Sequence, residues 1–392
     1  MNGKASVQFY AGGPKWGYMP YLDTESIRDA SGTAESIKED NRIAYLDVLK
    51  TLAIIGVIAI HISAGLLSYI EIGSNNWYFY VFWASVVRWS VPVFFMCSGV
   101  VFLDPGKNIP VRRIFTKYLF RIVIALIFWA CMYELFDVLR DFYSTGAIDT
   151  VMVKNSVKNI LTFNTHFHLY YLYIIILIYI FVPVIKAFTG AAGKRLLEYA
   201  LIVWIAFGVI FPFALAFYPF NLLRGMVLQY GLKMAYSSMG FFIMGHYLHR
   251  YPLSKRVTYA VYLAGIAGFF TTAFGTIALS SQDINTVFLE GMTPNVAAMA
   301  IALFLFAKNL ISKYYNEKSG SVVKAVTYIS KASFCVYLVH DFFNIIFRAF
   351  NLDRAIWNVF VSVPLLTLLN LLLSICVYFI LSKTPYVKKY LI

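Results

Sequence analysis

The chain has 392 residues, of which 60% are hydrophobic and 13% charged, and its mean hydropathy is +0.70. That balance excludes a water-soluble globule and predicts an all-α integral membrane protein. A lipid-facing β-barrel is excluded by the absence of period-two alternation, and the formal charge of +14 reads as topology and attraction to anionic lipid, with no nucleic-acid partner.

Residues 1–41 are polar and rich in Gly, Ser and Asp, with no signal-peptide pattern. They read as a flexible cytoplasmic leader, either native or lying upstream of the true start. A membrane domain over 42–392 follows, with ten apolar runs long enough to cross about 30 Å of hydrocarbon. They are predicted at 45–67, 77–103, 118–137, 167–186, 196–217, 232–249, 258–279, 293–311, 332–350 and 357–382. Ten spans put both ends on one side, and roughly 24 of the 33 Lys and Arg then share that side, so both termini are expected in the cytoplasm. No connection is long enough for a soluble catalytic domain, so any chemistry belongs to the helices or their mouths. Paired Gly- or Pro-broken spans of the kind found in inverted-repeat transporters are not evident.

Ionisable groups inside the spans are the informative residues, because hydrocarbon tolerates them poorly. In YLDVLKTLAIIGVIAIH, Lys50 and His61 are eleven positions apart, which on a helix leaves them about 20° from the same line, with Asp47 within about 40°. Lys50 is expected near the cytoplasmic interface and His61 roughly 16 Å deeper, near the midplane. The histidine either bonds across a helix interface or marks a site, and the lysine either snorkels to lipid or serves that site. Arg88, in the second span, is expected to face the bundle and find Glu134 or Asp137 on the third, as a structural pair or as part of a site.

The remaining polar groups carry weaker signals. Arg112, Arg113, Lys117 and Arg121 lead into the third span, as topology alone predicts, although the same cluster would suit a phosphate-rich ligand. His166 and His168, read as helical, face different ways, so no shared metal is expected. Adjacency keeps His340 and Asp341 from forming a dyad on one face, and His246 and His249 read as a solvated helix end. Cys97, Cys131, Cys335 and Cys376 lie inside predicted spans without metal-ligand spacing.

Several of these phrases, in order, resemble integral membrane acyltransferase family 3. YLDVLKTLAIIGVIAIH is similar to the family's first span, in which a basic residue precedes an essential histidine by ten intervening positions; Lys50 stands where Arg is usual, and His61 matches. VPVFFMCSG resembles a second-span phrase ending in Ser98 and Gly99, which read as structural or orienting together with Asp47. HLYYLYIIILIYIFVP resembles a His-Leu-Trp-Phe-Leu segment, with His168 matched and Tyr170 for Trp. GFFIMGHYL and VYLVH resemble later landmarks, the last matching His340. The family often has two arginines three apart entering the third span; Arg121 matches the second, whereas Tyr118 holds the first place beside Lys117, keeping a charge but losing a bidentate fork.

The resemblance covers nearly the whole chain from Arg42. It implies transfer of an acyl group, most often acetyl, from cytoplasmic acyl-CoA (acetyl-CoA or succinyl-CoA as co-substrate) to a hydroxyl of an extracytoplasmic or lipid-linked glycan in the bacterial cytoplasmic membrane. Within it, Lys50, Arg112, Arg113, Lys117 and Arg121 would bind donor. His61 would act as general base or acyl carrier, Arg88 would hold the oxyanion, and His168 and His340 would line the acceptor side. No resident cofactor or metal is implied. The rival reading is an exporter or flippase of a glycan or lipid-linked intermediate; a membrane sensor is a third.

Overall fold

A computed structural model describes residues 43–392 apart from 68, 224, 226–233, 315–319 and 353–357. The leader expected over 1–41 lies outside them, as do Arg224, Lys233 and Arg354 of the charge count. Every regular element among the described residues is helical. Among the described residues nine stretches are long and apolar enough to cross a membrane; the helix Met234–Arg250, where the tenth span was expected, has 17 residues and is not one of them.

In chain order, α1 is Ala44–Leu67, α2 Asn75–Val86 and α3 Ser90–Phe102. Helix α4 is Val111–Thr145 and includes a π-helical turn at Ile114–Leu119. Helix α5 is Thr150–Leu161 and α6 is Tyr170–Ala191. Helix α7 is Lys194–Ala214, α8 Met234–Arg250, α9 Lys255–Leu279 and α10 Pro294–Tyr314. Helices α11, α12 and α13 are Ser321–Ala349, Val359–Leu381 and Pro385–Tyr390.

Burial ranks the spans. In their most apolar windows α1 and the α2–α3 pair are 61% buried and α9 only 22%, so the first two form the bundle's centre and α9 its rim. Helix α1 touches α2, α3, α10, α11 and α12, which places its polar stripe against several neighbours. The exposed faces of α9 and α12 carry Leu263, Phe274, Leu365 and Phe379, the surface a hydrocarbon solvent demands.

Small residues set the closest approaches. A Cβ on Gly99 of α3 would sit 1.8 Å from the Phe242 main-chain oxygen of α8, and one on Gly245 of α8 would sit 2.1 Å from the Met96 oxygen of α3. The two backbones meet where neither has a side chain, the packing that lipid-embedded helices favour. On the other side of α3, a Cβ on Gly56 of α1 would meet Ser90 Oγ at 2.0 Å.

The second span is interrupted at Val87–Trp89, between α2 and α3. Pro92 supplies the reason: it has no N–H for the Arg88 carbonyl and its ring crowds that position. Arg88 therefore sits in a turn rather than on a continuous helix, where Trp89 Nε1–H and the Ser90 hydroxyl donate to the Val86 and Val87 carbonyls at 2.6 Å each.

Candidate functional site: a two-chambered passage along the first span

Two chambers lie end to end beside α1. One, about 320 Å³, is lined by Lys50, Ser98, Arg121, Tyr179 and Lys331 among others. The second, about 430 Å³, is lined by His61, Arg88, His168, Tyr170 and Glu290. Both are also lined by Val57, Val91, Tyr171 and Tyr337, which form the constriction between them. The helical spacing of Lys50 and His61 thus puts one residue in each chamber on the same face of α1.

The first chamber is basic. Lys50 comes from α1, Arg121 from α4 and Lys331 from α11. Arg121 donates to the Ile392 carbonyl and lies over the Phe334 ring at 5.2 Å, so its position is fixed by packing as well as by hydrogen bonding. Asp47 accepts from the Ser330 hydroxyl at 2.6 Å, and the Thr51 hydroxyl donates to the Val326 carbonyl at 3.0 Å; together they tie α1 to α11 beside the chamber. Ser98 hydrogen-bonds to Tyr171 at the constriction. Arg112, Arg113 and Lys117 are exposed and outside this lining. Of the five basic residues singled out by sequence, the structure gathers Lys50 and Arg121. Lys331, which reads in sequence as an ordinary inner-loop charge, is the third.

The second chamber holds rings and opposite charges. His61 lies 5.0 Å from the His340 ring centroid, 6.3 Å from His168 and 5.2 Å from Phe167. His340 Nδ1 is 2.7 Å from the Tyr337 carbonyl, which can only accept. That nitrogen carries the hydrogen, and in a neutral ring Nε2 keeps its lone pair. Asn370 of α12 donates to the His340 carbonyl at 2.9 Å and to Asn344 Oδ1 at 2.8 Å, holding this stretch of α11 in place.

Three sequence expectations are corrected here, and one is kept. Arg88 does not meet Glu134 or Asp137; the carboxylate it faces is Glu290, in the segment leading to α10. Asp137 is taken by Arg140 at 3.1 Å and His166 at 2.8 Å. His166 and His168 do share a neighbourhood, with ring centroids 6.0 Å apart, because His166 is extended and only Phe167–Leu169 turns as a 3₁₀ helix; the helical spacing that would separate them does not apply. Asp341 makes no dyad with His340, in line with their adjacency, but approaches His168 Nδ1 to 3.4 Å from another element. Finally, His246 is buried and His249 Nδ1 is 2.7 Å from the Tyr45 hydroxyl, so that helix end is packed rather than solvated.

The described helices thus form a multi-span bundle in which a basic chamber opens, through a narrow waist, onto a cluster of histidines. Residues 43–381 match the family model of the acyltransferase domain Acyl_transf_3, nearly the whole described chain, and the protein belongs to that acyltransferase family. No curated protein and no solved structure gives a significant match.

Proposed function

We propose that the protein transfers an acyl group, most readily acetyl, from cytoplasmic acyl-CoA to a hydroxyl of an extracytoplasmic or lipid-linked glycan in a bacterial cytoplasmic membrane. The observation that carries this reading is the pair of chambers, basic at the Lys50 end and histidine-lined at the His61 end, meeting at one constriction. The anionic part of the donor suits Lys50, Arg121 and Lys331, of which Arg121 can grip phosphate with two N–H groups. Arg112, Arg113 and Lys117 lie outside the chamber and serve by raising the local concentration of an anion. The pantetheine arm passes Tyr171 and Tyr337 and delivers the thioester beside His61.

There, His61 removes the proton from the acceptor hydroxyl as its oxygen attacks the thioester carbon. The carbonyl oxygen becomes an oxyanion within reach of Arg88, whose guanidinium is held in the turn made by Pro92. Collapse breaks the carbon–sulfur bond, and the departing thiolate takes the proton from His61, leaving an ester and free CoA. The lone pair on His340 Nε2 gives the His61 proton a place to rest between steps. His168 shapes the acceptor side through its ring, and Glu290 keeps Arg88 aimed into the chamber.

The direct test uses the full chain in vesicles with radiolabelled acetyl-CoA and succinyl-CoA, comparing wild type with His61→Ala for CoA release and label on glycan. Turnover that depends on His61 supports the reading and names the donor. The exporter reading gains from one feature, the span broken at Arg88, because transporters use broken helices at their binding sites. It takes over if neither thioester is consumed while a lipid-linked glycan still crosses the vesicle membrane.

A further inference from the structure

Beside the histidine chamber, Asp341 and His166 take no part in the proposed transfer, and His168 serves it only through its ring. Asp341 is 4% exposed, and its ion-pair partners among the described residues are two imidazoles: His168 Nδ1 at 3.4 Å and His166 Nδ1 at 4.0 Å, both from Oδ2. The other oxygen, Oδ1, accepts from Asn344 at 3.2 Å. Among the described residues no Lys or Arg lies in ion-pair range, although a buried carboxylate requires a cation or full hydrogen bonding. His168 is fully buried and neither ring nitrogen has a hydrogen-bond partner, an expensive state for a polar ring.

We propose that His166 Nδ1, His168 Nδ1 and Asp341 Oδ2 bind a divalent transition metal of the zinc type, with Asp137 orienting His166. Two imidazoles and one carboxylate form a zinc-type donor set, and three protein ligands leave a fourth position for water. The three ligand atoms lie within 4.8 Å of one another. Bonds of about 2.0–2.1 Å at tetrahedral angles place neighbouring ligands roughly 3.4 Å apart, and His168 Nδ1 and Asp341 Oδ2 already have that separation, at 3.4 Å. The His166 Nδ1–Asp341 Oδ2 edge, at 4.0 Å, has to close by about half an ångström to reach it.

The surroundings match as well. His166 Nε2 is 2.8 Å from Asp137 Oδ2, so Nε2 carries the hydrogen and Nδ1 presents its lone pair towards Asp341, the carboxylate–histidine–metal arrangement that fixes a ligating ring. A polar cavity of about 480 Å³, lined by Glu134, Asp137, Asp149, Asn155, Asn164 and His166, leads to the cluster from the solvent side with three carboxylates along the way. The site pins α4, the 166–169 turn and α11 together next to His61. It stands independently of whether the protein is a transferase or an exporter.

The test measures metal on the full chain, purified with a tag free of histidine, loaded with Zn²⁺, dialysed, and analysed by mass spectrometry; Co²⁺ serves as the spectroscopic probe. Wild type and the control His246→Ala should keep about one zinc per chain, as a single three-ligand site requires, and show the visible bands of four-coordinate cobalt. His168→Ala and Asp341→Asn should lose most of it. Asp137→Asn, which leaves all three ligands in place, should bind roughly 10–100-fold more weakly. Should the alanine variant not fold, His168→Cys still decides, since it should retain metal and add a sulfur-to-cobalt charge-transfer band. Wild type that retains no zinc after dialysis, zinc that is unchanged in Asp137→Asn and Asp341→Asn, or a His168→Cys variant whose cobalt form lacks the sulfur-to-cobalt band, overturns the proposal.

Discussion

Lys50 and His61 share a helix face but stand on opposite sides of the constriction, so removing each should damage different kinetic constants. His61→Ala should lower kcat by roughly 10²–10⁴, the usual worth of a positioned base. Lys50→Ala or Lys331→Ala should instead raise the donor KM with a smaller effect on kcat. Initial rates of CoA release against donor concentration separate the two, and a Lys50 variant defective only in kcat would move that lysine into the chemical step. Arg88→Lys keeps the charge but loses the planar fork; a fall of about 10²-fold or more in kcat is expected if Arg88 holds the oxyanion. The pairing of Lys50 with His61 was legible in the sequence because α1 is a regular helix, where spacing converts directly into a shared face. The partner of Arg88 was not legible, since depth in the membrane says nothing about which helices are neighbours, and Glu290 arrives from a segment two hundred residues further on.

At the level of elements, the close contact of α3 with α8 makes a strong stability prediction. Gly99→Ala and Gly245→Ala would each press a methyl group onto a main-chain oxygen, at 1.8 and 2.1 Å, and backbone cannot step aside as a side chain can. A loss of about 1–3 kcal/mol or more is expected from such overpacking, read as a lowered unfolding temperature in detergent. Gly190→Ala in α6, with nothing within 4 Å of the added carbon, should be neutral or slightly stabilising. Pro92→Ala should behave differently from all of these. It gives the Arg88 carbonyl a hydrogen-bond donor and favours a continuous span, so stability should hold or rise while activity falls with the displaced guanidinium. The small residues in VPVFFMCSG and GFFIMGHYL stood out in the sequence, but the break did not: 77–103 was expected as one span although Pro92 stands four residues after Arg88. The 166–169 segment was misread because a run of aromatic and apolar residues looks helical from its first member, whereas the regular helix starts only at Tyr170.

For the molecule as a whole, the prediction concerns passage. Val91 belongs to both chambers, and Val91→Trp should obstruct the waist, abolishing transfer from acyl-CoA while the protein still folds, which melting temperature and turnover together report. Unimpaired turnover would mean that the donor reaches His61 by another route. Nine of the ten expected spans were legible from hydropathy because lipid demands long apolar helices whatever their neighbours. The chambers were not, because they are made by side chains from α1, α3, α4, α6 and α11 at once, and a periodic pattern records only one helix at a time.

Tyr337 does two things at the waist: it lines both chambers and its hydroxyl donates to the main-chain oxygen of His168. Anything that threads past its ring must share space with the residue that secures the His168 turn. Under the proposed transfer, donor and acceptor would therefore be coupled through a single side chain. Filling the basic chamber should change the affinity for acceptor, acceptor should change the affinity for donor by the same factor as linkage requires, and Tyr337→Phe, which keeps the ring but releases the turn, should weaken that mutual dependence.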